Sequence, residues 1–135
     1  MRVLVDTSVW SLALRKKEKT EAEQHIVDTL AKLIRNLDVV LIGPVRQEIL
    51  SGISDEQKFI ELKTRLALFE DLEIRTEDYE TAAQLFNECR KHGIQGSHID
   101  FLICAVALNH DMPIFTLDKD FERYQEYVDI RLYRG

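Results

Sequence analysis

The stretch Arg2-Val3-Leu4-Val5-Asp6-Thr7-Ser8-Val9-Trp10 decides the fold: a short apolar run ends abruptly in a carboxylate and two hydroxyls. Consecutive apolar residues without alternation mark a strand covered on both faces, as at the centre of a parallel sheet. Ligands of such sheets bind beyond the carboxyl ends of the strands. Asp6 therefore either caps the following helix or serves as a functional carboxylate, and this stretch alone leaves both roles open.

Two further runs repeat the pattern. Val39-Val40-Leu41-Ile42 leads into Gly43-Pro44, and Ile114-Phe115-Thr116 leads into Leu117-Asp118-Lys119-Asp120-Phe121. Between the first two strands, Ile26, Leu30, Leu33, Ile34 and Leu37 recur at the spacing of an amphipathic helix. Strand, helix, strand implies a right-handed parallel crossover. Pro44 suits the first turn of a helix whose apolar side is Val45, Ile49 and Leu50 and which Gly52 closes. Residues 55–69 and 76–92 then predict two amphipathic helices inserted between sheet strands, with Leu72-Glu73-Ile74 extended between them. Ser97-His98-Ile99-Asp100 is a capping-box pattern opening a helix that is apolar nearly all round. Residues 130–133 read as a last strand. The expectation is one α/β domain over residues 1–135, with no repeat or linker to divide it.

Composition narrows the function. Eighteen basic against 24 acidic residues give a net charge of −6, which argues against coating nucleic acid by bulk charge. A metal ion in an acidic cleft reverses the local field, so a polyanionic substrate stays compatible. Cys89 and Cys104 fall inside apolar helical patterns and read as buried hydrophobes of a reducing compartment, the cytoplasm. No apolar run approaches the roughly 20 residues of a membrane span, so no membrane association is expected. The five glycines form no phosphate-cradling motif.

The acids carry the chemistry. Asp6 follows the first strand, Glu48 lies one turn into the helix after the second, and Asp118 and Asp120 follow the third. In a parallel sheet all four project from one edge. A helix returning between parallel strands starts at that same edge, which brings in Asp100. Capping and the helix dipole would account for Asp100 alone, but convergence of all these acids favours function. Clustered carboxylates raise one another's pKa unless a cation binds. Oxygen donors without paired His or Cys select a hard ion, Mg²⁺ or Mn²⁺, one or two in number. Such an ion keeps waters and binds phosphates, so phosphoester hydrolysis is the economical reaction. Thr7, Ser8 and Thr116 are placed to contact the acids or substrate, and Arg15, Lys16, Lys17, Lys19, Arg46 and Lys119 are the candidate phosphate contacts.

Taken in order, Val3-Leu4-Val5-Asp6-Thr7-Ser8-Val9, Val45-Arg46-Gln47-Glu48-Ile49 with Gly52, Asp100-Phe101-Leu102-Ile103 with Ala105 and Ala107, and Ile114 through Phe121 resemble the PIN-domain ribonucleases. The likeness is greatest to the VapC-type toxins of toxin–antitoxin pairs. The resemblance implies a three-layer α/β/α fold with a central parallel sheet of four or five strands, and a Mg²⁺- or Mn²⁺-dependent endoribonuclease. Asp6, Glu48 and Asp100 fall on the family's acidic positions, with Asp118 as fourth and Asp120 as its rival. It also implies a homodimer and a cognate antitoxin whose tail occupies the cleft, the two inserted helices supplying its groove. Two alternatives stand beside this reading. An aspartyl-nucleophile phosphatase would need a second acid where Ser8 stands, and a non-catalytic binding module would use the acids for capping and solubility.

Overall fold

The computed structural model describes residues 1–135. At its centre is β1 (Val3–Val5), in which every residue is fully buried. Each such side chain contributes roughly 1.5–3 kcal/mol by leaving water, and only a strand flanked on both sides can bury all of them. β2 (Val39–Val40) and β3 (Ile114–Phe115) flank it in the order β2-β1-β3, both parallel to β1. Leu4 is paired with Val40 on one side and Ile114 on the other, so the three strands end nearly level.

The sheet has three strands, where four or five were expected. The extended pieces on either side each contribute a single bridging residue, Asp71 against Leu41 and Leu132 against Ile114. The physical reason is the length of the edges. β2 and β3 each run for two residues before the chain turns into α3 or toward Thr116, and so offer little ladder to extend.

The helices follow the apolar spacing: α1 (Thr7–Arg15), α2 (Glu21–Arg35), α3 (Gly43–Leu50), α4 (Glu56–Leu66), α5 (Thr76–Lys91) and α6 (His98–Asn109). A short α7 (Asp120–Tyr124), which the periodicity did not predict, follows β3. α6 buries Phe101 through Ala107 without a break and is the helix of the core. α4 packs on α3, whereas α5 packs along α6.

The α5–α6 joint contains a carboxylate sealed from solvent. Asp78 accepts from the Arg75 backbone N–H at 2.9 Å and from Asn109 Nδ2 at 2.8 Å, with His110 Nε2 at 3.8 Å. Burial pushes its pKa up, but the two hydrogen bonds and the nearby imidazole outweigh this and hold the group below its usual value. Asp78→Ala would remove the acceptor of the part-buried Arg75 N–H and of Asn109 Nδ2 and is expected to cost about 1–3 kcal/mol in urea denaturation at neutral pH. A carboxyl with a lowered folded pKa stabilises above its unfolded value of 3.8. The deficit should therefore shrink as pH falls through the lowered folded pKa, and a pH-independent deficit would contradict the assignment.

Candidate metal centre

β1 and β3 end side by side, and both continue into oxygen-bearing residues. Asp6 follows Val5 and Thr116 follows Phe115, two strand residues paired across the sheet. Asp6 precedes α1 in extended conformation (φ −75°, ψ 158°), yet its side chain makes no capping hydrogen bond. Its Oδ2 accepts instead from the hydroxyls of Ser8 and Thr116, each at 2.8 Å. Those hydroxyls in turn accept from the chain after β3, Ser8 Oγ from the Leu117 N–H at 2.9 Å and Thr116 Oγ1 from the Asp118 N–H at 3.0 Å. Of the two roles open to Asp6 in the sequence, capping by its side chain is therefore not the one it takes. The carboxylate is buried at 6% exposure and held in place by two hydroxyls from different elements.

Glu48 on α3 accepts from the Thr7 hydroxyl at 2.7 Å through Oε1, which ties the second strand's helix to the start of α1. Asp100 lies in the first turn of α6, partly buried. Half of the expected capping box is present, for the Asp100 N–H donates to Ser97 Oγ at 3.0 Å. The Asp100 carboxylate makes no reciprocal bond to the Ser97 backbone N–H; its Oδ2 accepts from the Tyr124 hydroxyl at 2.7 Å. Asp118 shapes its own turn, its Oδ1 accepting from the Asp120 N–H at 2.9 Å.

Asp100, Asp118 and Asp120 each offer one carboxylate oxygen, and these three atoms all lie within 4.8 Å of one another. Asp6 is near enough for its charge to act on Asp100 but lies outside that triad. None of Asp6, Glu48, Asp100, Asp118 and Asp120 forms an ion pair with lysine, arginine or histidine. Oxygen is the only donor type in the triad, which matches the preference of Mg²⁺ and Mn²⁺.

The candidate phosphate contacts divide. Arg46 is committed to the fold, donating to the carbonyls of Leu66 at the end of α4 and Phe69 just after it, and to Asp71 at 3.0 Å. Arg15 donates to the carbonyls of Ile49 and Ser51 at the end of α3. Lys16 is paired with Glu23 at 2.8 Å, and Lys19 donates to the Lys16 carbonyl. Lys17 and Lys119 are exposed.

A family model of the PIN domain matches residues 3–127. The chain belongs to the PIN domain family. Solved structures share this fold over nearly their whole length. FitAcB from Neisseria gonorrhoeae is 24% identical, with 98% of this chain and 96% of that chain covered and a TM-score of 0.77. VapBC2 from Rickettsia felis, bound to a DNA fragment from its promoter, is 17% identical over 100% and 99%, with a TM-score of 0.78. VapBC-1 from nontypeable Haemophilus influenzae is 16% identical over 98% and 97%, with a TM-score of 0.73. At these identities the likeness is one of fold. Comparison with curated protein sequences finds no significant match.

In this PIN domain, burial pushes the Asp100 carboxyl above its usual value, and the charges of Asp118 and Asp6 push it further in the same direction. The hydroxyls of Tyr124 and Ser97 oppose the rise without cancelling it. Cys104, on the same helix, is buried, and its thiol is pushed well above the ordinary range by burial and by the Asp100 charge, which leaves it inert. Tyr124 itself was not found from the sequence. Phe121 and Tyr124 stand three apart directly after Asp120, a one-turn helical signal too short to separate from a loop.

A carboxyl whose folded pKa is raised binds protons more tightly when folded, so it weakens the metal-free fold as pH rises through that value. Asp100→Asn, which retains an acceptor for Tyr124, should melt higher than the parent in chelator at pH 7, by a few degrees. The gap should close as pH falls to the ordinary value of 3.8. A variant that melts lower than the parent at pH 7 in chelator would show that the Asp100 charge stabilises the fold.

Proposed function

We propose that this PIN domain is a divalent-cation-dependent endoribonuclease, the VapC-type toxin of a toxin–antitoxin pair, held inactive by a cognate antitoxin. The observation that carries the reading is the gathering of Asp100, Asp118 and Asp120 oxygens within 4.8 Å, none of the three acids being taken up in an ion pair. Membership of the PIN family and the likeness to VapBC and FitAB complexes support a nuclease with a protein partner. The chain acts in cells as a homodimer in the cytoplasm, with RNA as substrate.

Asp100, Asp118 and Asp120 hold Mg²⁺ or Mn²⁺, with Asp6 completing the negative wall, and one or two ions are accommodated. When bound, the cation supplies Lewis-acid polarisation of the phosphodiester and stabilises the departing 3′ oxygen. Ser8 and Thr116 fix the Asp6 carboxylate through Oδ2. Thr7 occupies one oxygen of Glu48 and leaves Oε2 to take a proton from the attacking water. Lys17 and Lys119, exposed and charged, meet the flanking phosphates. A phosphatase with Asp6 as nucleophile is disfavoured, because Ser8 stands where such an enzyme needs its second acid.

Purified protein freed of any partner should cut a mixed cellular RNA pool with Mn²⁺ or Mg²⁺ and not with chelator. Asp6→Asn should reduce the rate by at least about a hundredfold, in line with the loss of a preorganised charged group. Cleavage that persists in chelator, or at the parental rate in Asp6→Asn, would exclude this chemistry.

A further inference from the structure

Asp118 and Asp120 belong to one short segment, the turn into α7, whereas Asp100 belongs to α6. The three oxygens can share a cation only if those two elements keep a fixed spacing. Tyr124 supplies a direct link: it lies on α7, four residues beyond Asp120, and its hydroxyl donates to Asp100 Oδ2 at 2.7 Å.

This side chain is built in rather than draped over the site. Tyr124 is fully buried, its ring 4.8 Å from that of Phe101 on α6 and 5.3 Å from that of Phe121 on its own helix. Gly96 makes room for it. A Cβ at position 96 would stand 2.7 Å from Tyr124 Cζ and 2.8 Å from Phe101 Cε2, and would crowd the phenol oxygen more closely still. A phenylalanine would fill the ring's place equally well, so packing does not account for the hydroxyl. Its one polar partner is the acid that the other two must meet.

We propose that Tyr124 is a positioning residue of the metal centre, its hydroxyl fixing the Asp100 carboxylate so that α6 and the turn into α7 present their acids to one divalent cation. The inference rests on the reading of Asp100, Asp118 and Asp120 as a cation site. By occupying Oδ2, the hydroxyl sets the plane of the carboxylate before the ion arrives. It also holds Asp100 beside Asp118 against their mutual repulsion. Groups that orient a metal-binding carboxylate in this way typically account for ten- to a hundredfold in metal affinity.

The test is Mn²⁺ titration of the full chain, followed by electron paramagnetic resonance of the free ion, on the parent, Tyr124→Phe, Asp100→Asn and the double variant. Melting curves in chelator accompany it. Tyr124→Phe should raise the Mn²⁺ dissociation constant about tenfold or more while unfolding remains cooperative. The double variant should bind as weakly as Asp100→Asn alone, since without the ionised acid there is nothing for the hydroxyl to position. Gly96→Ala, which crowds the phenol while retaining its hydroxyl, should also weaken binding, and it tests the link independently of Tyr124 replacement. Unchanged or tighter Mn²⁺ binding in Tyr124→Phe, with Asp100→Asn weakened, would overturn the positioning role and leave the metal centre standing. Additive losses in the double variant would overturn it too, as they would mark a purely structural tyrosine. Parental affinity in Asp100→Asn would remove the metal centre itself, and the proposal with it.

Discussion

Carboxylates packed together without a counter-cation repel, and the rest of this structure is arranged to hold Asp100, Asp118 and Asp120 together, with Asp6 close enough to act on Asp100, despite that. Asp6, Glu48, Asp100, Asp118 and Asp120 form no ion pair, although 18 lysines and arginines are available in the chain. Several of those cations are engaged elsewhere, Arg46 and Arg15 on carbonyls at helix ends and Lys16 on Glu23. The deficit of positive charge is thus local and specific to the acids, which suits a site whose missing charge arrives as an ion.

Neutral hydroxyls do the holding. Thr7 fixes Glu48, Ser8 and Thr116 fix Asp6, and Tyr124 fixes Asp100. A hydroxyl donor orients a carboxylate without neutralising it, so the acids keep their negative charge. A lysine or arginine in the same place would have satisfied the acids and closed the site. Rigid elements stand behind each hydroxyl: β1 runs into Thr7 and Ser8, β3 into Thr116, and the aromatic packing of Phe101 and Phe121 steadies Tyr124.

The parts legible in the sequence were those with a strong local pattern. Val3 to Val5 ending in Asp6, the Gly43-Pro44 start of α3 and the all-apolar face of α6 each carry their placement in a few residues, and together they bring the acids to one edge. What escaped depends on contacts distant in sequence or too short to register. α7 is one turn long, and Tyr124 becomes meaningful only because Gly96, 28 residues earlier, leaves room for it. Asp78 looks like any acid in the first turn of an amphipathic helix until α6 seals it. Arg46 has the sequence neighbourhood of a phosphate contact, but the carbonyls of Leu66 and Phe69 claim it. The expected outer strands failed for a similar reason, as β2 and β3 turn toward the site after two residues and leave little edge to pair.

The central claim is that this acidic cluster is a divalent-cation site, and anomalous scattering from a crystal of the protein grown with Mn²⁺ tests it most directly. The account predicts an anomalous peak coordinated by carboxylate oxygens of Asp100, Asp118 and Asp120, the atoms that now lie within 4.8 Å of one another. Absence of a peak there at saturating Mn²⁺, with the three carboxylates still gathered, would contradict it.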